Sequence, residues 1–180
     1  MSVNVAKRYA KPLLELASEQ NILEEVKEDM DQFSSLCKEN SEFVLLLKSP
    51  IIAHIKKEEV LQKIFKGKVN DLTLSIFSIM TRKNRENILP EVADQFIKLY
   101  RDKMGIQKAS VTTTFALDSG LKKSFEKTVS DISGKKPELE EKVDESILGG
   151  YILTMDDRQI NDSVRGQLKE LSMRFKKERK

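Results

Sequence analysis

The sequence predicts a mainly α-helical protein: an N-terminal six-helix bundle over residues 1–104, followed by a small α/β domain over 105–180. Three observations carry this reading. Apolar residues recur at helical spacing from the start to about Met104, and after Gly105 the spacing turns to alternation. The balance of 39% hydrophobic to 34% charged residues is polar for a single compact globule and suits short helices with much exposed surface.

In the first segment, Val5, Ala6, Tyr9, Ala10, Leu13, Leu14, Leu16 and Ala17 define one helix. Leu23, Val26, Met30, Phe33, Leu36 and Cys37 keep the 3.6-residue period in a second. A short third helix holds Phe43 to Leu47 and stops at Ser49-Pro50, because a residue before proline is pushed out of the helical region. Val60, Leu61, Ile64 and Phe65 form a fourth, ended by Gly67; Leu72, Ile76, Phe77, Ile79 and Met80 form a fifth. Ile88, Leu89, Val92, Phe96, Ile97, Leu99 and Tyr100 form the sixth. Short connections predict antiparallel packing of consecutive helices.

The second segment reads strand, helix, strand, strand, helix. Ala109, Val111, Thr113 and Phe115 alternate as a strand does. Asp118-Ser119 can cap a helix bearing Leu121, Phe125, Val129 and Ile132, closed by Gly134. Residues 137–143 form a strand low in apolar content, expected at an edge or facing solvent. A stronger strand spans Ile147 to Met155, and the turn Asp156-Asp157-Arg158-Gln159 leads to Asn161 as the cap of a last helix. That helix places Val164, Leu168, Leu171 and Phe175 on one face.

The net charge of +3 comes from 32 basic and 29 acidic side chains of interleaved sign. A nucleic-acid binder usually carries a one-sided basic excess, so nucleic acid is not an expected partner. The C-terminal run of Arg174, Lys176, Lys177, Arg179 and Lys180 is interrupted by Glu178 and reads as a solvated helix end. One cysteine excludes an internal disulfide and fits a reducing compartment. No stretch approaches the ~18 apolar residues of a membrane span, and the N-terminus lacks a secretory signal.

The residues offer no catalytic or metal-binding constellation, and no cofactor is expected. His54 has no ligand partners at zinc spacing, and Cys37 falls in phase with Met30 and Phe33 as a small core residue. Gly134-Lys135-Lys136 lacks the upstream glycine and following hydroxyl of a phosphate loop. Asp156 and Asp157 read as turn carboxylates. Arg82, Lys83 and Arg85 form a compact basic cluster, which Glu86 follows at once and no aromatic interleaves.

The surfaces are more informative. The apolar positions of the first helix spread over about 180°, where a surface helix needs only about 100° to dock on one core. The fifth helix is comparably broad. Either both helices are central in the bundle, or they form a groove for a partner's amphipathic helix. Pro12 predicts a kink, or a helix whose regular part begins near Lys11. Gly149-Gly150 within a strand marks a bulge or a close backbone approach, and Gly166 a close approach of the last helix to the sheet.

These residues resemble the delta subunit of F-type ATP synthase, whose mitochondrial counterpart is the oligomycin-sensitivity-conferring protein. The resemblance runs through Arg8-Tyr9-Ala10, Leu16-Ala17, Ser49-Pro50, the lysines Lys56 and Lys57, and Arg82 to Arg85 before Ile88, Phe96 and Leu99. It is most specific in Val143-Asp144, Ser146 to Gly150, Ile160, Ser163 to Arg165 and Leu168. Pro12 and Asn161 depart from the family's more usual small residue and aspartate. The resemblance implies a non-catalytic stator subunit at the cytoplasmic face of the cell membrane, membrane-associated only through its complex. Residues 1–104 would hold N-terminal helices of alpha subunits on the catalytic head, and 105–180 would join b-type subunits of the peripheral stalk. The implied groove comprises Tyr9, Leu13, Leu16, Ile76, Ile79 and Met80, and the stalk side Gly149, Gly150, Val164 and Leu168. The rival class is a free-standing helical adaptor or nucleic-acid-binding protein.

Overall fold

The computed structural model describes residues 2–156 and 158–178. The chain divides into two compact units, Met1–Tyr100 and Arg101–Lys180, a division that falls within the sixth helix and ahead of the Met104–Gly105 boundary read from periodicity. Each unit has a core of its own.

Unit 1 contains α1 (Ser2–Glu19), α2 (Leu23–Glu39), α3 (Ser41–Lys48), α4 (His54–Phe65), α5 (Asp71–Arg82) and most of α6 (Leu89–Met104), the last entered through a 3-10 turn at Glu86–Ile88. Its centre is aromatic. Phe33 of α2 lies 4.9 Å from Phe77 of α5 and 5.6 Å from Phe65 of α4, centroid to centroid, and Phe43 of α3 closes the cluster. Asparagines begin two of the helices. The side chain of Asn40 accepts from Phe43 N–H at 3.0 Å, and that of Asn70 from Leu72 N–H at 3.0 Å. Buried Asp29 also meets the start of α5, accepting from Asn70 N–H (2.8 Å) and the Thr73 hydroxyl (2.7 Å), where the helix dipole favours a carboxylate.

A second polar tie is Lys57. Its ammonium donates to Glu86 Oε1 at 2.7 Å and to the Leu47 carbonyl at 2.9 Å, joining α3, α4 and the turn before α6. Nothing in the apolar period marks Lys57 as a core residue, and α4 accordingly starts at His54, a turn and a half before the apolar positions from which it is read. The helix α1 starts at Ser2 and continues through Pro12, so its regular part does not begin near Lys11. Pro12 and Arg8 are both exposed, which leaves water to satisfy the Arg8 carbonyl that proline cannot bond.

Unit 2 is a four-stranded sheet in the order β2-β1-β3-β4. The central strand β1 (Ile106–Thr113) pairs parallel with β2 (Lys136–Val143) and antiparallel with β3 (Tyr151–Met155). The helix α7 (Ser119–Ser133) connects β1 to β2. It covers one sheet face, where Val129 packs with Ala109, Val111, Leu153 and Met155, and Phe125 meets Tyr151 edge-on at 5.0 Å. Asp118 caps α7 by accepting from Leu121 N–H at 2.7 Å, and Gly134 ends it at φ 67°. As expected from its low apolar content, β2 lies at an edge, with Lys108 of β1 reaching Glu140 at 2.8 Å and Lys122 of α7 reaching Glu141 at 2.9 Å.

Three expectations for this unit need correction. Residues Arg158–Asn161 form a fourth strand, β4, rather than the end of a turn. The third strand starts at Tyr151, because Glu145–Ile147 make a 3-10 turn and Gly149-Gly150 precede the strand instead of interrupting it. The last helix, α8 (Val164–Glu178), is capped by Ser163, whose hydroxyl accepts from Gly166 N–H at 3.0 Å; Asn161 stands behind it, accepting from Ser163 N–H at 3.1 Å and the Ser163 hydroxyl at 2.7 Å. Asp157 and the side chains from Phe175 onward lie outside the described residues.

Candidate partner-binding surfaces

The polar residues singled out in the sequence do not converge. His54 is exposed at the start of α4, and Asp156 accepts from the Gln107 amide at 3.0 Å. Among the described residues no group of three His, Cys, Asp or Glu could hold a metal ion. Half-buried Cys37 has its thiol pushed up to about 11, chiefly by burial and further by Asp94 and Glu91, which leaves it protonated and unreactive near neutrality.

On the first candidate surface, α1 packs against α5. The Arg85 guanidinium donates to the Tyr9 hydroxyl at 2.9 Å and lies 5.9 Å from the Tyr9 ring centroid, so Tyr9 is held beside the end of α5. Leu16 and Ile79 are 44% and 45% exposed, and Tyr9 and Ile76 are half-buried. Leu13 and Met80 do not belong to this open face: both are buried, 2% and 0% exposed, and form part of the core behind it. The broad apolar stripe of α1 therefore splits into an inward part and a surface remainder. Beside Ile79 the surface dips into a hollow of about 480 Å³, lined by Gln62 of α4 and by Leu74, Ser78 and Arg82 of α5.

The second surface is on α8. Val164, Leu168 and Leu171 follow helical spacing, and with Met173 they are 42–55% exposed; α8 packs on the 3-10 turn at Glu145–Ile147. This face of the helix is open. Leu148, beside the start of α8, is 68% exposed. The glycine pair makes this arrangement possible. A Cβ on Gly149 would press on Val164 Cγ2 at 3.2 Å, and one on Gly150, whose φ is +73°, would overlap the Asp162 carbonyl. Gly149 O accepts from Val164 N–H at 3.1 Å, and Tyr151 O from Asp162 N–H at 2.9 Å, which completes the seat of α8. Gly166 gives room to the Asn161–Ser163 cap; its Cβ would stand 2.7 Å from Asn161 Oδ1.

Two interactions around the first surface are not legible in the sequence. The Arg85–Tyr9 contact joins residues 76 positions apart, and no local pattern announces it. The inward turn of Glu86 is hidden for the same reason, since its partner Lys57 is distant in sequence.

Both surfaces fall inside a match to known proteins. Residues 5–175 match the family model for the ATP synthase delta (OSCP) subunit. The chain belongs to this family. It is 41% identical over 171 residues to the ATP synthase subunit delta of Cytophaga hutchinsonii, covering 95% of this chain and 93% of that one. It is 36% identical to that of Flavobacterium psychrophilum, covering 94% and 96%. Among solved structures, a chain of the Toxoplasma gondii mitochondrial ATP synthase hexamer is similar with a TM-score of 0.73 and 25% identity, over 94% of this chain and 96% of that chain. Family membership therefore extends across both units. Among the described residues no helix is long and apolar enough to cross a membrane, so neither apolar surface is part of such a span.

Proposed function

We propose that the chain is a non-catalytic stator subunit of proton-translocating F-type ATP synthase, acting at the cytoplasmic face of the cell membrane. Unit 1 holds alpha-subunit N-terminal helices of the catalytic head along α1 and α5. Unit 2 joins b-type stalk subunits through the α8 face seated on Gly149 and Gly150. The linkage keeps the head from turning with the rotor, so that torque drives ATP synthesis.

The observation that carries this reading is that each unit of a delta-family chain presents an open apolar surface on its helices. Tyr9, Leu16, Ile76 and Ile79 supply the first; Val164, Leu168 and Leu171 supply the second. An amphipathic helix laid on such a face gains affinity from buried apolar area, and a charge placed in the middle removes it. Ile79→Asp should weaken binding of an alpha-subunit N-terminal peptide by ~2 kcal/mol or more while leaving the helical signal intact. Unchanged affinity in the folded variant would reject the α1–α5 assignment. Capture of the tagged chain from solubilised membranes should bring down the rotary ATPase. Nucleic acid in its place would favour the free-standing adaptor.

A further inference from the structure

We infer that the helix received by the α1–α5 face carries a carboxylate beside its apolar stripe, and that this carboxylate docks at Arg82, Lys83 and Arg85. The inference rests on the docking face proposed above and adds the chemistry of its occupant.

The stretch Arg82-Lys83-Asn84-Arg85-Glu86 ends in an acid that would offset its cations if all the side chains faced water. They do not. Glu86 is 6% exposed and bonded to the Lys57 ammonium, so its charge is spent inside the unit. Arg82, Lys83 and Arg85 are all exposed. Backbone geometry produces this sorting. Arg85 N–H donates to the Met80 carbonyl at 2.9 Å, and Asn84 adopts a left-handed φ of 53°, which ends α5 in a tight turn. Glu86 then enters the core on the α4 side while Arg85 emerges beside α1 on the Tyr9 ring.

The remaining charges facing this end leave it positive. Glu58 of α4 approaches Arg82 at only 3.9 Å, with Arg82 76% exposed, a loose contact of little strength. On α1, Glu15 lies 3.9 Å from Lys11, and Arg8 is exposed and basic. Cations in the last turn of a helix complement its dipole, and Arg82 can serve that purpose. Arg85 lies beyond the helix and bonds Tyr9, so the dipole does not explain its position.

A positive end bordering Tyr9 and Ile79 fits one kind of ligand best. Its apolar part calls for an amphipathic helix, and its cations call for an acidic side chain on that helix within reach of the stripe. Arg85 is already held by Tyr9, which lowers the entropy lost when it accepts a carboxylate. Nucleic acid would require phosphate contacts spread along a longer basic track, and the mixed charges of α1 and α4 do not extend one.

The test uses the full chain and a synthetic peptide spanning the N-terminal helix of the same organism's alpha subunit. Affinity is measured for wild type, for Ile79→Asp, and for the triple variant Arg82→Gln, Lys83→Gln, Arg85→Gln, at about 50 mM and about 500 mM salt. The triple variant is expected to bind about tenfold more weakly at low salt, and wild type to lose a similar factor at high salt. Replacing one particular peptide carboxylate by its amide should reproduce the loss in wild type and change nothing in the triple variant. Weakening by Ile79→Asp with no effect of the three cations, of salt or of any peptide carboxylate would overturn the inference and leave the docking face standing. No effect of Ile79→Asp would remove the docking face itself. Displacement of the peptide by a short oligonucleotide, dependent on the same three cations, would also overturn the carboxylate reading.

Discussion

Lys57 and Glu86 are each buried, and each is tolerable there because of the other. A lone charge in such a site lacks the partner that offsets its desolvation. Lys57→Met should therefore destabilise unit 1 by about 3–5 kcal/mol, since it strands the Glu86 carboxylate, whereas the pair Lys57→Met with Glu86→Leu should recover most of that loss. Urea unfolding of the single and double variants checks this; equal destabilisation by both would show that the lost bond to Leu47 matters more than charge. Cys37 supports a second residue-level prediction. Its folded thiol stays protonated until about pH 11, so the thiolate fraction near neutrality is on the order of 100-fold below that of an ordinary thiol. Alkylation by iodoacetamide should be at least tenfold slower in the native chain than in urea, and its rate should keep rising with pH past 9 instead of levelling there. A native rate equal to the unfolded one would contradict the burial that raises the thiol.

At the scale of elements, what the sequence discloses depends on how local the cause is. Helices α1 to α7 are legible because an apolar stripe at 3.6-residue spacing is a local property, and so is the cap Asp118. The strand β4 is not, because its four exposed residues show no alternation and become a strand only by pairing with β3. The open faces are half legible. The broad stripe on α1 and α5 announces extra apolar surface, but only packing decides that Leu13 and Met80 turn inward while Leu16 and Ile79 remain outside. Gly149 and Gly150 signal a close approach without naming what approaches, which is the start of α8. Gly150→Ala combines a positive φ with overlap on the Asp162 carbonyl, a change expected to destabilise by about 1–3 kcal/mol. The loss should be local. Hydrogen exchange in α8 should quicken while α1 to α5 keep their protection, and uniform loss across both units would show that the glycine supports more than the seat of α8.

For the whole molecule, the proposed stator role would put its two attachments in series. The chain has two compact units with separate cores, and the candidate surfaces are confined to one unit each. Substitutions on one surface should therefore leave the other surface's affinity unchanged, as expected for surfaces built on separate cores. Ile79→Asp should lower binding to the alpha-subunit peptide and spare binding to the stalk subunits; Leu168→Asp should do the reverse. Transmission of torque behaves differently, because a linkage broken at either end transmits nothing. In membranes carrying the complex, each single variant should uncouple ATP-driven proton pumping from ATP hydrolysis nearly as fully as the double variant, with hydrolysis by the head retained. Parallel measurement of proton pumping and phosphate release distinguishes the cases. Additive, partial losses of pumping would mean that the two surfaces share the load in parallel, and a loss of hydrolysis in step with pumping would mean that the chain does more than hold the head still.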